Sequence, residues 1–150
     1  MKKAVFIFLI ALIAVSFARF SHAAEDTISK PASVKAKTPS DKEIRQVVKS
    51  YIEEEVKKNK DKTFKIKDPV FKETRSLSLM KLHQKPGKAD EYYHLCADFQ
   101  DLNDGEFIDV DFDVQDVEGS WEVVDAVIHK VGGKARFIYD KNGNRIPLRQ

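Results

Sequence analysis

Between Ile108 and Val114 the chain alternates without a break. Ile108, Val110, Phe112 and Val114 take one parity, and Asp109, Asp111 and Asp113 take the other. A period of two is the mark of an extended strand whose faces meet opposite surroundings. A helix is excluded, because its 3.6-residue turn would scatter the aspartates through the apolar side. The consequence reaches beyond this segment. A half-apolar strand needs neighbouring strands, and its apolar face needs a second layer to cover it.

Ser40-Asp41-Lys42-Glu43 is a capping box, with Pro39 keeping the preceding chain extended. Ile44, Val47, Val48, Tyr51, Ile52 and Val56 then fall on one helical stripe. Glu53 with Lys57 and Glu54 with Lys58 are i,i+4 pairs in the favourable order. These signals predict a helix from Asp41 to Lys58. Everything after it reads as strand. Phe64 and Ile66 alternate with lysines before Asp68-Pro69, and Leu77 to Leu82 slips out of alternation at Leu79-Met80, which predicts a bulge or a strand buried on both faces. Gln84 to Gly87 reads as a turn, and Tyr93, Leu95, Ala97 and Phe99 alternate with Tyr92, His94, Cys96 and Asp98. Turn signals follow at Asn103-Asp104-Gly105, Glu118-Gly119, Gly132-Gly133 and Asn142-Gly143, with Ala135, Phe137 and Tyr139 as a last strand.

One helix followed by strands on short connections implies an antiparallel sheet. The expected fold is α+β: one N-terminal helix packed on a curved antiparallel meander of four to six strands. This layout resembles the cystatin-like fold and the related nuclear-transport-factor-like cone. The runs Asp109-Val-Asp-Phe-Asp-Val114 and Ile128-His-Lys-Val-Gly-Gly133 also resemble small exported bacterial proteins of uncharacterised function. That likeness covers roughly the last 60 residues, and it brings no activity with it.

The N-terminus supplies an address. Lys2 and Lys3 precede an apolar run from Ala4 to Ala18, and Ser21-His22-Ala23 ends it with small residues. This is the three-part pattern of a secretory signal peptide over residues 1–23, cleaved near Ala23 or Ala24. The run falls short of the roughly 20 apolar residues of a spanning helix, so no stable membrane anchor is expected after cleavage. Residues 24–39, rich in Lys, Ala, Ser, Thr and Pro, read as a flexible linker, and 40–150 as a single domain. The expected location is periplasmic or secreted. Losing Lys2, Lys3 and Arg19 takes Lys+Arg from 26 to 23 against 24 acids, so the formal charge of +2 becomes −1. No basic field remains to argue for nucleic acid. The lysines from Lys57 to Lys67 read as the solvated end of the helix and the guard of an edge strand.

Cys96 is the single cysteine of the chain, so no internal disulfide staples it. If Leu95, Val110 and Ile128 face the helix, the opposite sheet face carries His94, Cys96, Asp98, Asp109, Asp111, Asp113 and His129. His94, Cys96, Asp111 and His129 together are a candidate ligand set for zinc or copper. Calcium is disfavoured: the aspartates lie on an extended strand, and Asp140 to Asn144 has Arg145 where a calcium loop needs glycine. Gln115, Val117 and Gly119 form a Q-x-V-x-G string of the kind cystatin-type protease inhibitors present in a hairpin loop. Here it comes several strands after the helix and carries Asp116 and Glu118. No G-x-S-x-G elbow, H-E-x-x-H helix or glycine-rich phosphate loop is present. Cys96 as a nucleophile with His94 or His129 is opposed by its acidic neighbours. The expected function is therefore non-catalytic binding or association. Trp121, Val123, Val127 and Tyr92 are its candidate binding residues, because Trp121 to Val131 is apolar on both parities. The second sheet face would be covered by a protein partner, a ligand or a second copy, with a homodimer through the sheet as the leading form.

Overall fold

The computed structural model describes residues 38–149. The signal segment and all of the linker except Thr38 and Pro39 lie outside the described residues. Helix α1 runs Asp41–Lys58, as its stripe and cap dictate. The Ser40 side chain accepts from the Glu43 amide, and the Glu43 carboxylate accepts from the Ser40 amide at 2.7 Å. Ile44, Val48 and Ile52 are buried along it. Beyond its end, the Asn59 side chain donates to the carbonyls of Glu55 and Thr63, tying the last turn to the following strand.

The strands are β1 (Phe64–Asp68), β2 (Glu73–Leu82), β3 (Gly87–Lys88), β4 (Tyr93–Asp101), β5 (Phe107–Val117), β6 (Ser120–Val131), β7 (Lys134–Ala135), β8 (Phe137–Tyr139) and β9 (Arg145–Pro147). Six of them follow one antiparallel path, β1-β2-β4-β5-β6-β7, with β3 also paired to β4. The sheet curls around α1 into a half-barrel. Phe64, Leu95, Phe99, Val110, Phe112, Val114 and Ile128 supply the inner face. Phe64 stacks on Phe99 with centroids 5.3 Å apart and meets Phe112 edge-on at 5.7 Å, while Tyr51 of α1 packs edge-on against Phe64 and Phe112. Such aromatic pairs add about 0.5–1.5 kcal/mol each beyond the area they bury.

The slip at Leu79-Met80 is a bulge: the register jumps between Leu79 and Lys81, and Met80 is exposed. The turns Glu118-Gly119 and Gly132-Gly133 have positive φ at both residues, which matches the right-handed twist of a two-residue hairpin. Gly87 stands in the β3 ladder opposite His94, rather than in a turn. A Cβ there would sit 2.0 Å from the His94 ring, so the close approach requires glycine.

The C-terminus departs from the sequence expectation. Ala135, Phe137 and Tyr139 do not form one strand. Only Lys134 and Ala135 pair with β6; the chain then leaves the sheet at Arg136, and β8 and β9 form a separate two-stranded hairpin. The cause is a buried charge cluster. Asp68 accepts from both terminal nitrogens of Arg136 at 2.8 Å and from Arg75 Nε at 2.8 Å, and Arg75 also donates to Asp101. Asp68 and Asp101 are each 1 % exposed, and Arg75 is 2 % exposed. The two guanidinium groups hold the Asp68 carboxyl well below the usual range, overcoming the opposing effect of burial. Arg136 is thereby latched to the end of β1, and the chain beyond it is turned across the outer face of the sheet.

Candidate metal centre

The hairpin β8–β9 covers the face that carries the alternating aspartates. Phe137 stacks on His129 with centroids 4.5 Å apart, and Tyr139 stacks on His94 at 4.3 Å. Arg145 donates to Asp113 at 2.6 Å, and Tyr92 donates from its hydroxyl to the Gly143 carbonyl. Asp111 and Asp113 are therefore buried instead of solvated, and this part of the outer face is covered by the chain itself.

Register decides which side chains meet beneath it. In the β4–β5 ladder Cys96 lies opposite Asp111, and Asp98 lies opposite Asp109. On β6 the register shifts opposite Asp109 and Val110, leaving His129 as the extra residue. That irregularity turns the His129 ring toward the outer face, where Nδ1 lies 3.3 Å from Asp111 Oδ2. On the other side of β4, the bulge at Met80 brings the end of β2 level with Cys96. The His83 amide donates to the Cys96 carbonyl at 3.0 Å, and His83 Nε2 lies 2.7 Å from Asp98 Oδ1.

Two ligand sets result, and they share one sulfur. Cys96, Asp111 and His129 offer donor atoms within 4.8 Å of one another, and so do His83, Cys96 and Asp98. His83, Cys96, Asp111 and His129 line one recess of about 420 Å³, together with Lys85, Pro86 and Lys130. Burial, reinforced by Asp111, Asp109 and Asp98, pushes the Cys96 thiol far above its ordinary range. Burial also works against the Asp111 carboxylate, but hydrogen bonds with His129, Tyr139 and Cys96 hold it down to about 2. Burial, with Asp125 and Asp111 nearby, pushes Asp113 up to about 6 despite Arg145. Asp109 is paired with Lys130 at 2.8 Å.

Of the sequence-predicted ligands, Cys96, Asp111 and His129 are brought together. His94 lines the same recess without joining either set; burial lowers its pKa, and its Nδ1 is buried without a hydrogen-bond partner. His83 was missed, because it follows β2 and meets Cys96 only once the slip at Met80 is resolved as a bulge. The four candidate binding residues do not form one surface. Trp121 and Val123 pack toward the helix side, Trp121 edge-on against Tyr93 at 5.6 Å. Val127 pairs with Asp111 on the opposite face, and Tyr92 pins the β8–β9 turn. The two parities of β6 are not two continuous apolar faces, because register shifts interrupt its alternation. Gln115, Val117 and Gly119 sit at the β5–β6 hairpin, with Val117 38 % exposed. Among the described residues, no helix is long and apolar enough to cross a membrane.

No family model, curated protein or solved structure matches this chain.

Proposed function

We propose that this chain is a small exported, non-catalytic binding domain whose ligand is a transition-metal ion, zinc or copper, held by Cys96, Asp111 and His129. The observation that carries the reading is the convergence of these three donor atoms, within 4.8 Å of one another, from three adjacent strands. A thiolate with an imidazole suits zinc or copper, whereas calcium and magnesium take oxygen ligands. Bonds of about 2.0–2.3 Å place ligand atoms roughly 3.5 Å apart around a tetrahedral ion, so modest side-chain rotation closes the set. A fourth position stays open toward the recess. The surroundings of Cys96 also favour binding over nucleophilic chemistry. A reactive thiol needs a positive field that lowers its pKa, and here burial and carboxylates raise it. A bound metal ion would displace the thiol proton and supply the charge those carboxylates face.

Titration of the mature chain with zinc or Cu(I), with the reaction of Cys96 toward a thiol reagent followed in parallel, tests this. Saturable binding that protects the thiol is expected. A thiol that reacts at the same rate with and without metal overturns it.

Self-association is a second reading, favoured by one observation. Only Lys130 and Val131 of β6 pair with β7, so among the described residues Ser120 to Ile128 has no strand along its outer edge. A second copy could extend the sheet there. Sedimentation of a monomer at high concentration would count against it.

A further inference from the structure

We propose that the recess takes two thiophilic metal ions bridged by the Cys96 sulfur, one completed by Asp111 and His129 and the other by Asp98 and His83. The inference rests on the metal-binding reading above and extends it from one ion to a thiolate-bridged pair. Its basis is that the two ligand sets have only Cys96 in common. They also reach the sulfur from opposite sides. β4 lies between β2 and β5 in the sheet, so His83 arrives from the β2 side and Asp111 and His129 from the β5–β6 side. A thiolate has lone pairs enough to bind two soft ions at once, which an imidazole nitrogen cannot do.

Charge is compatible with one ion or with two. Asp109 is neutralised by Lys130 and Asp113 by Arg145, at 2.8 Å and 2.6 Å. The negative groups left for the ions are Asp98, Asp111 and the Cys96 thiolate, with Lys85 on the recess wall. Against those three charges alone, two monovalent ions leave −1 and two divalent ions +1, so either pair is accommodated. His83 is 40 % exposed and Asp98 34 % at their side chains, so the second position faces the mouth of the recess and can exchange its ion while the first stays enclosed. The His83–Asp98 contact holds these two ligands side by side, in register through β2 and β4.

Cadmium, added to the mature chain and followed by native mass spectrometry and cadmium NMR, tests the proposal. Two ions per chain are expected, giving two resonances that split each other through the shared sulfur. His83→Ala should leave one ion, as should His129→Ala, and Asp98→Asn provides an independent loss of the outer one. Cys96→Ser should remove the thiolate-to-cadmium absorption band together with both ions. One ion in the unaltered chain, lost in His129→Ala and indifferent to His83→Ala, overturns the bridge and leaves the single-ion reading standing. Two ions with unsplit resonances overturn the bridge as well. No bound cadmium at all overturns both readings.

Discussion

Tyr139→Phe removes a single oxygen from the underside of the C-terminal hairpin. The hydroxyl donates to Asp111 at 2.6 Å, and Asp111 is 2 % exposed. The ring and its stack on His94 are retained, so packing is nearly unchanged. Burial opposes ionisation of Asp111, yet its hydrogen bonds hold the pKa at about 2 against an ordinary 3.8. A depression of that size corresponds to roughly 2–3 kcal/mol of folding stability. A carboxylate with a lowered folded pKa contributes that stability above its unfolded pKa and loses it as pH falls through the folded value. Tyr139 is one of three groups supporting Asp111, and a hydrogen bond to a charged group is worth about 1.5–3 kcal/mol. The substitution should therefore cost about 1.5 kcal/mol at pH 7. With a slope of roughly 1–1.5 kcal/mol per molar urea, the midpoint falls by about 1 M. The loss should shrink as the buffer is taken from pH 5 toward 2, as Asp111 protonates first in the variant and then, near pH 2, in the unaltered protein. Urea unfolding followed by Trp121 fluorescence at each pH reads this out. An equal loss at pH 7 and pH 2, or a loss below about 0.5 kcal/mol at pH 7, refutes the assignment of Asp111 as an ionised, Tyr139-supported group.

Asp68→Ala should cost about 3–5 kcal/mol by leaving the buried Arg136 guanidinium group unpaired and taking one of the carboxylate partners of Arg75, and chemical denaturation checks it. Gly143→Ala forces a Cβ to 2.9 Å from Ala89 at a φ of +84°, so the β8–β9 turn should loosen and the melting temperature fall by several degrees, measured calorimetrically. Metal binding must strip the proton from a thiol that burial has pushed far up. Apparent zinc affinity should therefore rise about tenfold per pH unit between pH 6 and 8, which titration in buffers of differing protonation enthalpy will show together with the released proton. Ser40→Ala should cost about 1 kcal/mol by removing the N-cap hydroxyl that accepts from the Glu43 amide, read from the same denaturation curves.

The helix and the central strands were legible because their signals are local. The stripe from Ile44 to Val56 and the cap at Ser40 mark α1, and strict alternation marks β4 and β5. The sheet face bearing Cys96, Asp111 and His129 was legible for the same reason. What stayed hidden depends on distant pairing. Phe137 and Tyr139 alternate as a continued meander would, and only the Asp68–Arg136 pairing, 68 residues apart, says that the chain leaves the sheet just before them. Nothing local to the aspartates therefore announces a cover, although the hairpin buries Asp111 and Asp113. His83 was hidden by register: one bulged residue at Met80 decides whether it reaches Cys96.

The latch between Arg136 and Asp68 also sets an order of events. The residues around the recess span His83 to Tyr139, and the cover is secured by a contact between the first strand and a segment close to the chain's end. Long-range closures of this kind form late in folding. For a chain threaded unfolded through an export channel, as proposed above, this pocket would not exist until the segment beyond Arg136 had emerged. The ion it acquires would then be chosen from the supply in the compartment of folding, whatever the metal inventory of the compartment of synthesis.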